Sequence, residues 1–360
     1  MKIGLDISSG LSSQPTGVGV YILQLARHLA KIDRENEYFL YTRGKKKISF
    51  QEVVNVRFYN LRSPRVFFQS VNIFHGLAFK LRFWPRAGRR VVTVHDMSPF
   101  SPDRDFNPPD FARMQKTIRK ATARADSIIV SSESVRQEII HFLSVEPEIV
   151  RVVHHGLDEH FHPVEDETKI KQLKDKLHLP NEFILFVGTL EARKNLVRLI
   201  EAFSKFTAEN RNSPPLLLVG RKGRNWEEIF ERVSSLNLNS KVHYSGYFQR
   251  EDLPLLYSAC LFFVYPSLCE GFGIPVLEAM GCGAAVLTSS ISALPEVVGD
   301  AAYLVNPYKV EEIREGIEKL FFDQDLRKKL KEKGLSRAKN FTWEKSAQRT
   351  LEIYQSLFQQ

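Results

Sequence analysis

The strongest constraint on the fold of this chain is a repeated alternation of short apolar runs with amphipathic helical stretches. Thirteen runs, six to eight residues long, are rich in Val, Ile, Leu and Phe and bounded by Gly, Pro, Ser or Asp. That length, composition and punctuation mark buried strands. Seven lie in the first half: KIGLDI (2–7), EYFLYT (37–42), NVRFYN (55–60), VNIFHGL (71–77), RVVTVHD (90–96), DSIIVSS (126–132) and IVRVVHH (149–155). Helical patterns stand between them, such as VYILQLARHLAKI (20–32) and FARMQKTIRKATARA (111–125). A polar stretch, HPVEDETKIKQLKDKLHLPNE (162–182), then carries Pro163 and Pro180 and reads as an interdomain connection with a short exposed helix. After it the pattern restarts: FILFVGTL (183–190), LLLVGRKG (216–223), KVHYSGY (241–247), LFFVYPS (261–267), AAVLTSS (284–290) and AAYLVN (301–306). From about Val310 to Gln360 the chain is helical with no further strand.

Strands alternating with helices imply parallel sheets covered on both faces. A length of 360 residues suits two domains. The expectation is an α/β chain of two tandem, doubly wound, Rossmann-like domains, 1–160 and 161–341, with a terminal helix at 342–360. In such sheets ligands bind beyond the carboxyl ends of the strands, at the point where strand order reverses. The expected active site is therefore in those loops, facing a central cleft between the domains.

Charge separates the two halves. Residues 1–155 hold 24 Lys and Arg against 14 Asp and Glu, and the remainder holds 27 against 28. The excess base favours an anionic partner for the first half: nucleic acid, a membrane surface or a phosphorylated substrate. The three cysteines, Cys260, Cys269 and Cys282, show no C-x-x-C spacing, which argues against a disulfide framework or a zinc ribbon. No apolar run is long enough to span a bilayer, and MKIGLDISSG reads as a first strand and not as a signal peptide. These features point to the cytoplasm.

Four segments carry candidate chemistry. In PSLCEGFGIPVLEAMGCG (266–283) a strand leads into a glycine-bearing loop and then a helix whose first turn accepts Pro275. The free amides and dipole at such a helix start suit an anion or a sugar oxygen. Glu270 in the loop and Glu278 about one turn into the helix could face one crevice and accept hydrogen bonds from vicinal hydroxyls. In FVGTLEARKNL (186–196), Arg193 and Lys194 stand near a helix N-terminus, where cations oppose the dipole; an anionic ligand such as a diphosphate accounts for them. In SSGLSSQPTGVGVY (8–21), Gly17 and Gly19 precede a helix, but Ile22 occupies the third position of a G-x-G-x-x-G pattern, so either a tight turn or a ligand approach fits. In VTVHDMSPF (92–100), His95 and Asp96 end a buried strand, where a histidine can hydrogen-bond a sugar hydroxyl. His75 lies at another strand end.

EGFGIPVLE (270–278) matches the E-x7-E signature of retaining glycosyltransferases of the family-4 type, which have the GT-B fold. The resemblance continues through GYFQREDLPLLYSACLFFVYPS (246–267) and SALPEVVGDAAYLVNP (292–307), most of the second half. It implies that Glu278 binds the nucleotide ribose and that Glu270, with the Gly271–Gly273 loop and the amides of Phe272 and Gly273, holds the transferred sugar. It also implies that the first domain binds the acceptor, the second binds the nucleotide sugar, and the terminal helix packs back on the first. The loop that often reads G-R-L-x-x-x-K in that family has Thr189 after its glycine here, and G-T-L-E-x-R-K-N resembles bacterial mannosyltransferases of polysaccharide assembly. On that resemblance the leading donor is GDP-mannose and the acceptor a glycan or a lipid-linked glycan.

The expected function is transfer of a hexose with retention. His95, Glu270, Arg193 and Lys194 are the catalytic candidates; Gly17, Gly19, Arg193, Lys194, Gly271, Phe272, Gly273 and Glu278 are the donor-binding ones. No cofactor or metal is expected if the cations stabilise the departing diphosphate. Asp103-Arg104-Asp105 has a D-x-D form but follows a loop, and His154, His155, His160 and His162 lack a partner at a recognised metal spacing. FKLRFWPRAGRR (79–90), with Phe83 and Trp84, and the run Lys45–Lys47 suit an acceptor with a lipid phosphate or a peripheral contact with an anionic membrane; no RNA-binding motif accompanies them. Two other readings are a sugar-nucleotide epimerase or phosphorylase of the same fold, and a non-catalytic protein that binds anionic lipid or nucleic acid.

Overall fold

The computed structural model describes residues 1–11, 16–43, 55–82, 85–101, 110–179 and 182–359. The tripeptide at 103–105, the pair Phe83 and Trp84 and the run Lys45–Lys47 lie outside these residues. Contacts divide the described chain into two units. Unit 1 takes the residues up to Gly156 and those from Phe341 onward; unit 2 takes Leu157–Asn340.

In unit 1 the strands are β1 (Lys2–Asp6), β2 (Glu37–Thr42), β3 (Val56–Asn60), β4 (Ser70–Gly76), β5 (Arg86–Val94), β6 (Ser127–Val130) and β7 (Val150–Val152). They form one parallel sheet in the order β3-β2-β1-β4-β5-β6-β7. The order reverses between β1 and β4. Its helices are α1 (Gly17–Ile32), α2 (Phe111–Thr122), α3 (Glu133–Leu143) and the terminal α12 (Trp343–Gln359). Trp343, Ala347, Leu351 and Tyr354 recur at helical spacing on one face of α12. They share a core with Tyr21, Leu25 and Leu29 of α1 and with Ile3, Leu5 and Ile73 of the sheet. Each fully buried side chain of this size contributes about 1.5–3 kcal/mol of transfer free energy.

Two local differences from the sequence reading have physical causes. β5 begins at Arg86 and not at Arg90, because Ser70 and Val71 pair with Arg86 and Ala87. Its first residues are only partly buried, so they lack the apolar signature. α1 begins at Gly17, so Gly17 and Gly19 lie in its first turn and not in a loop before it. Thr16 caps that turn, its hydroxyl accepting from Gly19 N at 3.5 Å, which offsets part of the cost of glycine in a helix.

Unit 2 has the strands β8 (Ile184–Val187), β9 (Leu216–Val219), β10 (Val242–Gly246), β11 (Phe262–Tyr265), β12 (Val286–Ser289) and β13 (Tyr303–Val305). They form a parallel sheet in the order β10-β9-β8-β11-β12-β13, a doubly wound arrangement that reverses between β8 and β11. Every residue of β8, β9, β11 and β12 is buried, which explains their unbroken apolar runs. The helices are α4 (Glu167–Lys176), α5 (Leu196–Glu209), α6 (Trp226–Ser235), α7 (Leu253–Ala259), α8 (Ile274–Gly281), α9 (Leu294–Val298), α10 (Val310–Phe322) and α11 (Gln324–Ala338). α4 lies in the polar 162–182 stretch; Asp166 caps it, and Leu173 is its buried residue. Among the described residues no helix is long and apolar enough to cross a membrane.

Candidate functional site

The reversal point of unit 2 brings two loops together. One runs from β8 to α5 and carries Arg193 and Lys194; the other runs from β11 to α8 and carries Glu270. Leu268 N donates to Arg193 O at 2.8 Å, and Ser267 Oγ lies 2.9 Å from the same oxygen. Asn195 takes a left-handed backbone (φ +61°), and its Nδ2 donates to Pro266 O and Pro307 O at 3.1 and 2.6 Å. The first loop must pass very close to its neighbour: a Cβ on Gly220 would meet Gly188 O at 1.8 Å, so only glycine fits there.

Glu270 is the focus of these loops. Its carboxylate pairs with Lys194 Nζ and lies 3.2 Å from Arg193 Nη1. Ser267 Oγ and Tyr265 OH donate to Oε1 at 2.7 and 3.0 Å. Ser292 ties the backbone, accepting from Glu270 N at 2.9 Å and donating to Glu270 O at 2.7 Å. Burial works against the Glu270 charge, but Lys194, Arg193 and the hydrogen bonds outweigh it and hold the carboxyl at about 2. Burial, helped by neighbouring Arg193, pulls the Lys194 ammonium down while Glu270 supports it. Arg193 also contacts Glu191 at 2.7 Å and donates to Cys269 O at 3.0 Å. Its side chain keeps 26% exposure, against 6% for Lys194, so Arg193 is the more accessible cation.

α8 starts beside this group. Its cap, Gly273, has φ +99°, and a Cβ there would meet Leu294 Cδ2 at 2.6 Å. Val276 N and Leu277 N bond Gly273 O, while the amides of Gly273 and Ile274 come too early in the helix for an acceptor inside it. Glu278 lies on α8 but joins a different cluster. Its Oε1 pairs with Arg250, whose guanidinium also pairs with Asp158, and Tyr257 OH donates to Oε2 at 3.2 Å. Burial pushes the Glu278 carboxyl above its ordinary value, and Arg250 opposes that shift. Among the described residues the two glutamates therefore share no side-chain partner.

In unit 1, His95 lies one residue beyond β5. It is buried; its Nε2 donates to Leu77 O at 2.8 Å, and burial lowers its pKa. The neutral ring thus presents Nδ1 as an acceptor. His75 lies in the core, bonded through Nδ1 to the Tyr354 hydroxyl (2.5 Å) and through Nε2 to the Thr93 hydroxyl (2.7 Å).

Sequence reading did not single out Ser267, Tyr265, Ser292, Arg250, Asp158 or Tyr257. The first three flank the E-x7-E segment, and their signal was proximity alone. Arg250 and Asp158 sit 92 residues apart, and nothing local joins them. Glu138 on α3 was also missed; burial and Asp96 raise its carboxyl to about 7.

Two doubly wound parallel units with a cationic group at one reversal point define a chain of the GT-B glycosyltransferase fold. The family described as glycosyl transferases group 1 matches residues 168–337, and Glycosyltransferase Family 4 matches residues 15–161. O-antigen chain mannosyltransferase B of Escherichia coli is 34% identical over 288 residues, covering 79% of this chain and 74% of that protein. Serotype-specific mannosyltransferase WbdA of Escherichia coli is 35% identical over 275 residues, which is 75% of this chain but 34% of WbdA. The chain thus spans about a third of WbdA's length. Sucrose-phosphate synthase from Thermosynechococcus elongatus superposes with a TM-score of 0.80 over 99% of both chains, at 21% identity. The chain belongs to the group 1, family-4 glycosyltransferases.

Proposed function

We propose that the protein transfers a hexose, with retention of configuration, from a nucleoside diphosphate sugar to a glycan or lipid-linked acceptor. Mannose from GDP-mannose is the donor reading, supported by the two Escherichia coli mannosyltransferases. The observation that carries the proposal is the buried Glu270 carboxylate, held ionised by Lys194 and Arg193 at the reversal point of unit 2. Arg193 and the first amides of α8 meet the diphosphate, whose negative charge grows as the glycosidic bond loosens. Lys194 fixes Glu270, which accepts hydrogen bonds from hydroxyls of the transferred sugar, with the Gly271–Gly273 loop beside it. His95 Nδ1 accepts from a sugar hydroxyl in unit 1, where Gly17 and Gly19 bring the first turn of α1 close to a ligand. Glu278 reaches ribose only by sharing its oxygens with Arg250 and Tyr257.

Because cations and amides supply the positive charge, transfer is expected without a metal. The test is nucleotide release from GDP-mannose, UDP-glucose, ADP-glucose and dTDP-glucose with a mannan acceptor, with and without EDTA. Selective release from GDP-mannose that EDTA leaves unchanged, with an α-linked product by NMR, supports the reading. Release from none of the four, or a β-linked product, overturns it.

A further inference from the structure

Unit 1 holds a cavity of about 900 Å³, within the usual range for a small-molecule site. It lies between α2, the connection from β4 to β5, and the segment that follows β3. Its apolar lining comes from Leu61, Val66, Leu81 and Ala121, all aliphatic. Five cations also line it: Arg43, Lys80, Arg82, Lys120 and Arg124. Among the described lining residues there is no carboxylate.

The cations are unevenly matched. Arg82 pairs with Asp6 at 2.5 Å. Arg43, Lys80 and Lys120 are exposed, and no described carboxylate pairs with them. The crowding of positive charge reaches Arg90, whose pKa is lowered by burial and then by Arg124. An aliphatic floor beside the exposed cations Arg43, Lys80 and Lys120 is complementary to a molecule with an apolar chain and an anionic head. Phosphate suits several cations at once, because it offers charge and many acceptor oxygens. A nucleic acid would call for aromatic faces on which bases stack, and the described lining has none.

We propose that this cavity binds an amphiphilic phosphate, a hydrocarbon chain ending in a phosphate or diphosphate, with the chain on Leu61, Val66, Leu81 and Ala121 and the head on Arg43, Lys80 and Lys120. The described lining belongs to unit 1 alone, and the proposal can hold or fail independently of the transfer reading.

The experiment is isothermal titration of the purified protein with dodecyl phosphate below its micelle concentration. Inorganic phosphate, dodecyl maltoside and a short oligonucleotide serve as comparators. The expected result is saturable binding of one dodecyl phosphate, at least tenfold tighter than any comparator. K80E/K120E, which reverses two exposed charges, and Thr117→Trp, which fills the cavity from a half-buried position, should each weaken it at least tenfold with the unfolding midpoint unchanged. If one variant fails to fold, the other decides. Equal binding of inorganic phosphate would make this a plain anion site, and tighter binding of the oligonucleotide would make it a nucleic-acid surface. Either overturns the proposal, as does dodecyl phosphate binding that neither variant alters.

Discussion

The two units bury polar groups at equivalent places, the reversal point of a parallel sheet, but in opposite electrical states. Unit 1 buries neutral groups: His75 joins Tyr354 to Thr93, and Thr93 meets the Tyr21 hydroxyl at 2.9 Å. His95 and His155 flank the Tyr21 ring at centroid distances of 4.8 and 4.7 Å, and burial lowers the pKa of all three histidines. Unit 2 buries charge: Glu270 with Lys194 and Arg193, and Arg250 between Asp158 and Glu278. Neutral hydrogen bonds each contribute about 0.5–1.5 kcal/mol to stability. Buried ion pairs roughly break even against apolar replacements, so a fold does not need them for stability. The proposed transfer gives the charges of unit 2 a ligand to serve, while the neutral chain of unit 1 serves both packing and hydrogen bonding.

The largest effect should come from breaking a charge group in unit 2. Arg250→Met would leave the Asp158 and Glu278 carboxylates buried without their cation. A loss of about 3–5 kcal/mol is expected in urea unfolding. A loss below about 1 kcal/mol would mean that the group is hydrated and not buried. The equivalent cut in unit 1, His75→Leu, removes neutral partners and leaves the Tyr354 and Thr93 hydroxyls with one bond fewer. About 1–3 kcal/mol is expected by the same measurement, and a loss matching that of Arg250→Met would erase the contrast.

Acid sharpens the comparison. His75 is held at about 3, mainly by burial and then by His95, against an unfolded value of 6.5. The unfolded chain therefore binds the extra proton first. Its contribution is complete above pH 6.5 and falls by about 1.4 kcal/mol per unit as pH drops toward 3. Glu270 is lowered from 4.5 to about 2, so its contribution is complete above pH 4.5 and is lost only between 4.5 and 2. Glu138, raised to about 7, works the other way in the same unit, so the His75 effect is isolated by comparison with His75→Leu: between pH 6.5 and 5 the stability difference between parent and variant in urea unfolding should shrink. A difference that does not change with pH would contradict the assignment. The smallest effect is backbone strain: Gly273→Ala sits at φ +99° and meets Leu294, and should cost about 1–2 kcal/mol while slowing transfer through the displaced start of α8.

Much of this was legible in the sequence because strands buried on both faces read as unbroken apolar runs. ILFV, LLLV, FFVY and VLTS lie inside the expected segments. The start of β5 was not legible, since RAGRR pairs as a strand with little burial. Arg193, Lys194 and Glu270 were visible through their loops, but their mutual pairing was not, because it spans 76 residues and depends on two strands lying side by side. The separation of Glu278 from Glu270 was hidden for the same reason: Arg250 and Asp158 come from distant segments.

The most direct test of the central claim is the double variant K194M/E270L, which replaces the buried pair with apolar side chains. Urea unfolding and GDP-mannose turnover should be measured on the same preparation. The account expects stability within about 1 kcal/mol of the parent, or above it, with turnover reduced by about 10²-fold or more. Turnover within tenfold of the parent, or a stability loss of about 3–5 kcal/mol, would show that the pair holds the fold and not the ligand.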